Sequence, residues 1–69
     1  MTYRIAVDVG GTFTDVIAVD EEGHTTFVKA PSTPENQAIG TMDGIERLAT
    51  ALGLGVRDLL GRTERIVHG

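Results

Sequence analysis

Asp8-Val9-Gly10-Gly11-Thr12-Phe13-Thr14-Asp15 lies between two apolar, β-type segments, Ile5-Ala6-Val7 before it and Val16-Ile17-Ala18-Val19 after it. The arrangement reads as strand, tight turn, strand. Two adjacent glycines let a main chain approach a polyanion and take angles that a Cβ would forbid, so the turn has the makings of a backbone nest for phosphate. Thr12 and Thr14 add hydroxyl donors. Asp8 and Asp15 would be a poor choice beside bare phosphate, but they suit a site that also holds Mg²⁺. An ordinary β-hairpin also tolerates Gly-Gly. It has no need of an aspartate at either end and two threonines between.

Two other phosphate motifs are excluded. A P-loop requires Gly-x-x-x-x-Gly-Lys-Ser/Thr opening a helix, and no lysine lies near this turn. A dinucleotide fingerprint requires Gly-x-Gly-x-x-Gly, again entering a helix. Here a β-branched run follows, so the turn joins two strands.

The remaining order follows from periodicity. Tyr3 to Val9 alternates, with Ile5, Val7 and Val9 on one face and Ala6 and Asp8 on the other. Asp15 to Asp20 is apolar through its centre, as expected of a strand covered on both faces. Gly23, in the polar turn Asp20 to His24, suits a left-handed position, and His24 should face solvent. Thr25 to Ala30 reads as a third strand with Phe27 as its core anchor. Thr33 then serves as N-cap, Pro34 as first helical residue and Glu35 as complement to the helix dipole. Ala38, Ile39, Met42, Ile45, Leu48, Ala49 and Leu52 recur at helical spacing, Asp43 and Arg47 form an i,i+4 pair, and Gly53 supplies the stop. Gly40 and Gly44 inside this helix each cost about 1 kcal/mol against Ala. Either they allow a close backbone approach or they sit on a solvated face. Val56 to Leu60 reads as a short helical turn ending at Gly61, and Arg65 to Gly69 opens a fourth strand. The expected fold is α/β, ordered β-β-β-α-β, with an antiparallel meander and a fourth strand parallel to the first.

Composition narrows the class. With 69 residues the chain is one small unit, and a chain of this size buries only about 60% of its extended surface. It has no cysteine and 4% aromatic residues, so neither a disulfide framework nor large aromatic anchors compensate. Residues 1–69 are therefore expected to be the N-terminal part of a larger domain, cut at its fourth strand. A net charge of −4, with six scattered basic residues, argues against nonspecific nucleic-acid or anionic-membrane binding. No signal peptide opens the chain and no apolar run approaches the ~20 residues of a membrane span, which leads to the expectation of a cytoplasmic protein.

The strand order with a phosphate turn between the first two strands resembles the opening of an actin-like, ribonuclease-H-type ATPase domain, shared by sugar kinases and acetate kinases. The letters are narrower. Arg4-Ile5-Ala6-Val7-Asp8-Val9-Gly10-Gly11-Thr12-Phe13-Thr14-Asp15-Val16 resembles the start of the hydantoinase/5-oxoprolinase A-type subunit, and Val67-His68-Gly69 resembles the beginning of that family's later His-Gly-Thr-Thr segment. Asp-x-Gly-Gly-Thr alone is common to many sugar kinases; the continuation Phe13-Thr14-Asp15 points to the hydantoinases. Such subunits are much longer than this chain.

The resemblance implies ATP-driven opening of a cyclic amide, in which ATP phosphorylates the amide oxygen and water then attacks. Gly10, Gly11, Thr12 and, more weakly, Thr14 would bind ATP phosphates. Asp8 would face Mg²⁺ as metal and catalytic group, and Asp15 would orient water or metal, or else cap the turn through backbone N–H groups. His68 is either structural or a direct participant. Phe13 should pack beneath the turn. A cyclic amide substrate and a B-type subunit or fused partner domain complete the expectation. The rivals are an ATP-dependent ketone carboxylase subunit, a sugar or small-acid kinase, and a non-enzymatic ATP-sensing assembly module.

Overall fold

In the computed structural model, which describes residues 1–69, β1 (Tyr3–Val9), β2 (Phe13–Asp20) and β3 (Thr25–Pro31) form an antiparallel meander. The helices α1 (Gln37–Leu52) and α2 (Val56–Gly61) follow, and then β4 (Thr63–His68). β4 lies parallel to β1, giving one four-stranded sheet in the order β3-β2-β1-β4. The expected β-β-β-α-β topology is the observed one. No helix is long and apolar enough to cross a membrane.

Alternation divides the sheet into two unlike faces. Ile5 and Val7 of β1 and Val16 and Ala18 of β2 point toward the helices, where they meet Ile45, Leu48 and Ala49 of α1 and Leu59 of α2. Burying a side chain such as Leu48 contributes about 1.5–3 kcal/mol. The other face carries Arg4, Ala6 and Asp8 from β1, Phe13, Asp15, Ile17 and Val19 from β2, and Phe27 and Lys29 from β3. None of these is fully buried. β2 is therefore covered on one side of the sheet, although its apolar centre reads as a strand covered on both.

The helix contact differs from the stripe read off the sequence. Gly40 and Gly44 are buried, while Ile39 (59%) and Met42 (43%) are exposed, as is Ala38. The reason is close approach: a Cβ on Gly44 would stand 2.6 Å from Val16 Cγ2. With no side chain there, α1 lies directly on β2, and its first two turns are rotated so that Ile39 and Met42 face outward. The solvated-face reading of the two glycines does not hold.

Phe27, expected in the core, is 53% exposed, because register places it opposite Ile17 on the open face; Ala30 is the fully buried residue of β3. The helix begins later than expected. Asn36 is the N-cap, its side chain accepting from Ala38 N–H at 3.2 Å, and no acidic residue lies in the first turn. Thr33 still caps from outside, accepting the N–H of Gly40 at 2.8 Å. The Asp43–Arg47 pair forms at 3.2 Å, and Gly53 ends the helix at φ 74°.

Candidate functional site

β2 begins two residues before its expected start at Asp15, which shortens the turn to Gly10, Gly11 and Thr12. Neither glycine has a positive φ, contrary to expectation; Gly23 and Gly53 are the residues that do. Gly10 is needed for space, since a Cβ there would lie 2.9 Å from the Phe13 carbonyl oxygen that its N–H binds at 3.0 Å. Gly11 has nothing within 4 Å of a Cβ position, so its backbone is open to approach from outside. The N–H groups of Gly11 and Thr12 have no hydrogen-bond partner in the chain.

The ladder puts the two aspartates directly across from each other, Asp8 on β1 paired with Asp15 on β2. Both belong to the open face. Like charges at directly opposed positions destabilise a sheet, and neither carboxylate accepts a backbone N–H to offset this. The turn-capping alternative for Asp15 is thus not the arrangement formed. Asp15 instead faces Lys29, its β3 partner, with Nζ 3.9 Å from Oδ1, and that oxygen has no hydrogen bond. Lys29 Nζ also lies 5.3 Å from the centroid of the Phe13 ring. Phe13 itself is 47% exposed and does not pack beneath the turn.

Thr14 lies elsewhere. It is buried on the helix side of β2, and its hydroxyl is 3.0 Å from Ser32 Oγ. Ser32 Oγ donates to the Gly10 carbonyl at 2.6 Å, and Ser32 N–H donates to the Thr12 carbonyl at 2.9 Å. The structure brings together Asp8, Gly10, Gly11, Thr12 and Asp15 and separates Thr14 from them. His68 is exposed and register-matched to Val7, so it belongs to the row opposite in sense to Asp8. Gly69 continues the ladder, with a Cβ position 3.9 Å from Asp8 Oδ1. His24 is 75% exposed at its side chain and touches Asp20 at the far end of the sheet. Ser32 and Lys29 are the site residues that sequence reading missed. Lys29 had a signal in the alternation of β3; Ser32 had none beyond its place in a Pro-rich break.

The donor set fits a nucleotide phosphate with a hard cation. Two free backbone N–H groups at a side-chain-free turn offer donors to phosphate oxygens. No third carboxylate, histidine or cysteine joins Asp8 and Asp15. A pair of carboxylates beside a phosphate is a set that Mg²⁺ accepts, since it keeps several waters and takes one or two carboxylates plus phosphates.

This meander, crossover and hairpin turn define the actin-like ATPase type of fold. A solved diol dehydratase-reactivating factor in nucleotide-free form shares it, at TM-score 0.74 with 22% identity, over 100% of this chain and 12% of that one. The chain belongs to the hydantoinase/oxoprolinase family, whose N-terminal region model matches residues 4–69. Caprolactamase subunit alpha of Pseudomonas jessenii is 36% identical over 97% of this chain and 10% of its own length. The acetophenone carboxylase gamma subunit of Aromatoleum aromaticum is 43% identical over 90% of this chain and 8% of its own. The nucleotide-free structure of acetone carboxylase, from work on ATP-dependent acetone carboxylation, superposes at TM-score 0.91 with 30% identity, over 99% of this chain and 10% of that one. The chain thus spans about a tenth of the length of these relatives.

Proposed function

We propose that this chain is the phosphate-binding end of an ATP-dependent cyclic amide hydrolase, one that opens rings of the hydantoin, 5-oxoproline or lactam kind in the cytoplasm. One observation carries the ATP part of the reading, the free N–H groups of Gly11 and Thr12 beside a directly opposed pair of carboxylates, Asp8 and Asp15, on one open face; the likeness to caprolactamase subunit alpha supports the ring-opening part. Gly11 and Thr12 would hold phosphate oxygens, while Gly10, whose N–H is already used, keeps the turn tight. Asp8 would face Mg²⁺ through water, and Asp15 would share that charge with Lys29. Thr14 supports the turn from behind. Bound ATP would supply a phosphoryl group to the amide oxygen, which activates the ring carbon toward water; opening the ring then requires the C–N bond to break, with the nitrogen leaving protonated. The chain's own task is positioning and electrostatics. A B-type subunit or fused domain would complete the substrate site, in keeping with relatives that are named as subunits.

A second reading, an ATP-dependent ketone carboxylase subunit, is favoured by the likeness to the acetophenone and acetone carboxylases. Both readings use the same hairpin. Binding of a non-hydrolysable ATP analogue to the full-length protein, with and without Mg²⁺, tests the shared part. Substrate-dependent ATP turnover across hydantoins, 5-oxoproline, lactams and ketones then separates them. Stimulation by ketones alone would transfer the assignment to the carboxylases, and absence of analogue binding would remove both.

A further inference from the structure

We propose that Ser32 is a positioning residue for the phosphate hairpin, setting the direction of the Gly11 N–H that meets the ligand and confining the peptide that carries the Thr12 N–H. The inference rests on the ATP reading above and adds a residue that does not itself touch the nucleotide.

Ser32 stands at the junction of β3 and the loop to α1, away from the turn in sequence, yet it grips the turn on both sides. Its Oγ donates to Gly10 O at 2.6 Å and its N–H donates to Thr12 O at 2.9 Å. A trans peptide is planar, with its C=O and N–H pointing in opposite directions. Holding the Gly10 carbonyl toward Ser32 therefore turns the Gly11 N–H away from Ser32, to the outside. Holding the Thr12 carbonyl fixes the Thr12–Phe13 peptide, so the Gly11–Thr12 peptide between them, which carries the Thr12 N–H, is confined by a held plane on each side. Two peptide groups that bracket Gly11 and Thr12 are thus set by one residue.

The hydroxyl order follows from proton counting. A serine hydroxyl has one proton. Ser32 gives it to Gly10 O, so in the 3.0 Å contact with Thr14 Oγ1 it is Thr14 that donates. The relay runs from Thr14 O–H to Ser32 O–H to the Gly10 carbonyl, and Thr14 is anchored by burial at 1% exposure. A turn containing two glycines is otherwise loose, since glycine loses more conformational freedom on ordering than any other residue. Ser32 confines it before the ligand arrives. The next residue, Thr33, acts in the other direction, capping α1 at Gly40.

The test uses Ser32→Ala, Ser32→Thr and Thr33→Ala in the full-length protein, with Gly11→Val as reference. Readouts are affinity for a non-hydrolysable ATP analogue, KM for ATP, kcat at saturating ATP, and the thermal unfolding midpoint. Ser32→Ala keeps the backbone N–H bond to Thr12 and loses the Oγ bond to Gly10; it should weaken analogue binding and raise KM for ATP about tenfold, as expected for a hydrogen bond that holds a backbone conformation. Its kcat should stay within about twofold, because the hairpin still closes once ligand is bound. Ser32→Thr, which keeps the hydroxyl, should restore the affinity. Thr33→Ala should lower the unfolding midpoint and leave KM for ATP unchanged. An unchanged affinity in Ser32→Ala, or a loss that Thr33→Ala reproduces in step with its lowered stability, overturns the proposal. If Gly11→Val abolishes binding while Ser32→Ala does not, only the role of Ser32 falls. If the wild-type protein binds no analogue, the ATP reading falls and takes this one with it.

Discussion

Val16 and Ile17 are neighbours in one strand, yet they live in different solvents. Val16 is fully buried against Gly44 of α1, while Ile17 lies half-covered on a face that no element of this chain covers. The same division separates the helix-side row, with its apolar contacts, from the open row of Asp8, Asp15 and Lys29. One face of the sheet supplies stability and, on the function proposed above, the other supplies chemistry. The alternation of a β-strand keeps the two apart, so each can change with limited effect on the other. Asp8 and Asp15 stand across from each other on the open face, where Lys29 Nζ lies 3.9 Å from Asp15 Oδ1.

The largest effect that would test this division is on the covered side. Leu48→Ala should cost about 2–5 kcal/mol of stability, the range for truncating a fully buried leucine. Ile17→Ala should cost well under half of that. Urea unfolding of the two variants checks the difference, and equal losses would mean that the open face is not open in the working protein.

The reverse pattern is expected at the hairpin. Asp8→Ala should lower ATP turnover in the full-length protein by about 10²-fold or more, the scale of losing one electrostatic group at such a site. Its stability should be unchanged or slightly higher, because a directly opposed like-charge pair has been relieved. Gly11→Val should likewise fold, since nothing stands within 4 Å of its Cβ, while losing analogue binding. Normal turnover in Asp8→Ala would take that residue out of the proposed metal site.

Gly44 offers a sharper comparison within the helix. Gly44→Val should destabilise by about 1–3 kcal/mol through overpacking on Val16, whose Cγ2 lies 2.6 Å from the added Cβ. Combining it with Val16→Ala should recover part of the loss, as contacting positions are not additive. A helix that simply rides outward would show no such recovery.

Much of this was legible from the residues. Alternation in β1, the turn chemistry of Gly23 and the stop at Gly53 are local signals, and local signals produced the element order and the hairpin. What failed depended on partners. Phe27 reads as a core residue until register puts it across from Ile17 on the uncovered face. Ile39 and Met42 fit a helical stripe until two glycines let α1 sink onto β2 along a different line. At the site, Asp8, Gly11 and Thr12 announced themselves through composition and spacing. Thr14 sat in the same run, but strand parity sends it to the opposite face, and Ser32 comes to the turn only through the pairing of β2 with β3.

The smallest effect concerns a third aspartate, which differs from Asp8 and Asp15 in having its donors supplied. Asp20 ends β2 at 9% exposure, and its Oδ1 accepts the N–H groups of Glu22 at 2.8 Å and His24 at 2.9 Å. Burial acts to raise its pKa, but the two backbone donors and the His24 imidazole, 3.3 Å from Oδ2, together hold it below the ordinary carboxylate value. With the folded value depressed, the unfolded chain takes up the proton first. The stabilisation is complete above the ordinary carboxylate range and disappears as pH falls through that range toward the folded value. Thermal unfolding midpoints followed from neutral pH into that range should therefore drop, and Asp20→Asn should flatten the drop. His24→Gln separates the contributions, since it keeps the backbone N–H and removes the imidazole. It should retain most of the slope. If it flattened the curve as fully as Asp20→Asn, the side-chain pair rather than the backbone turn would be what holds the end of β2.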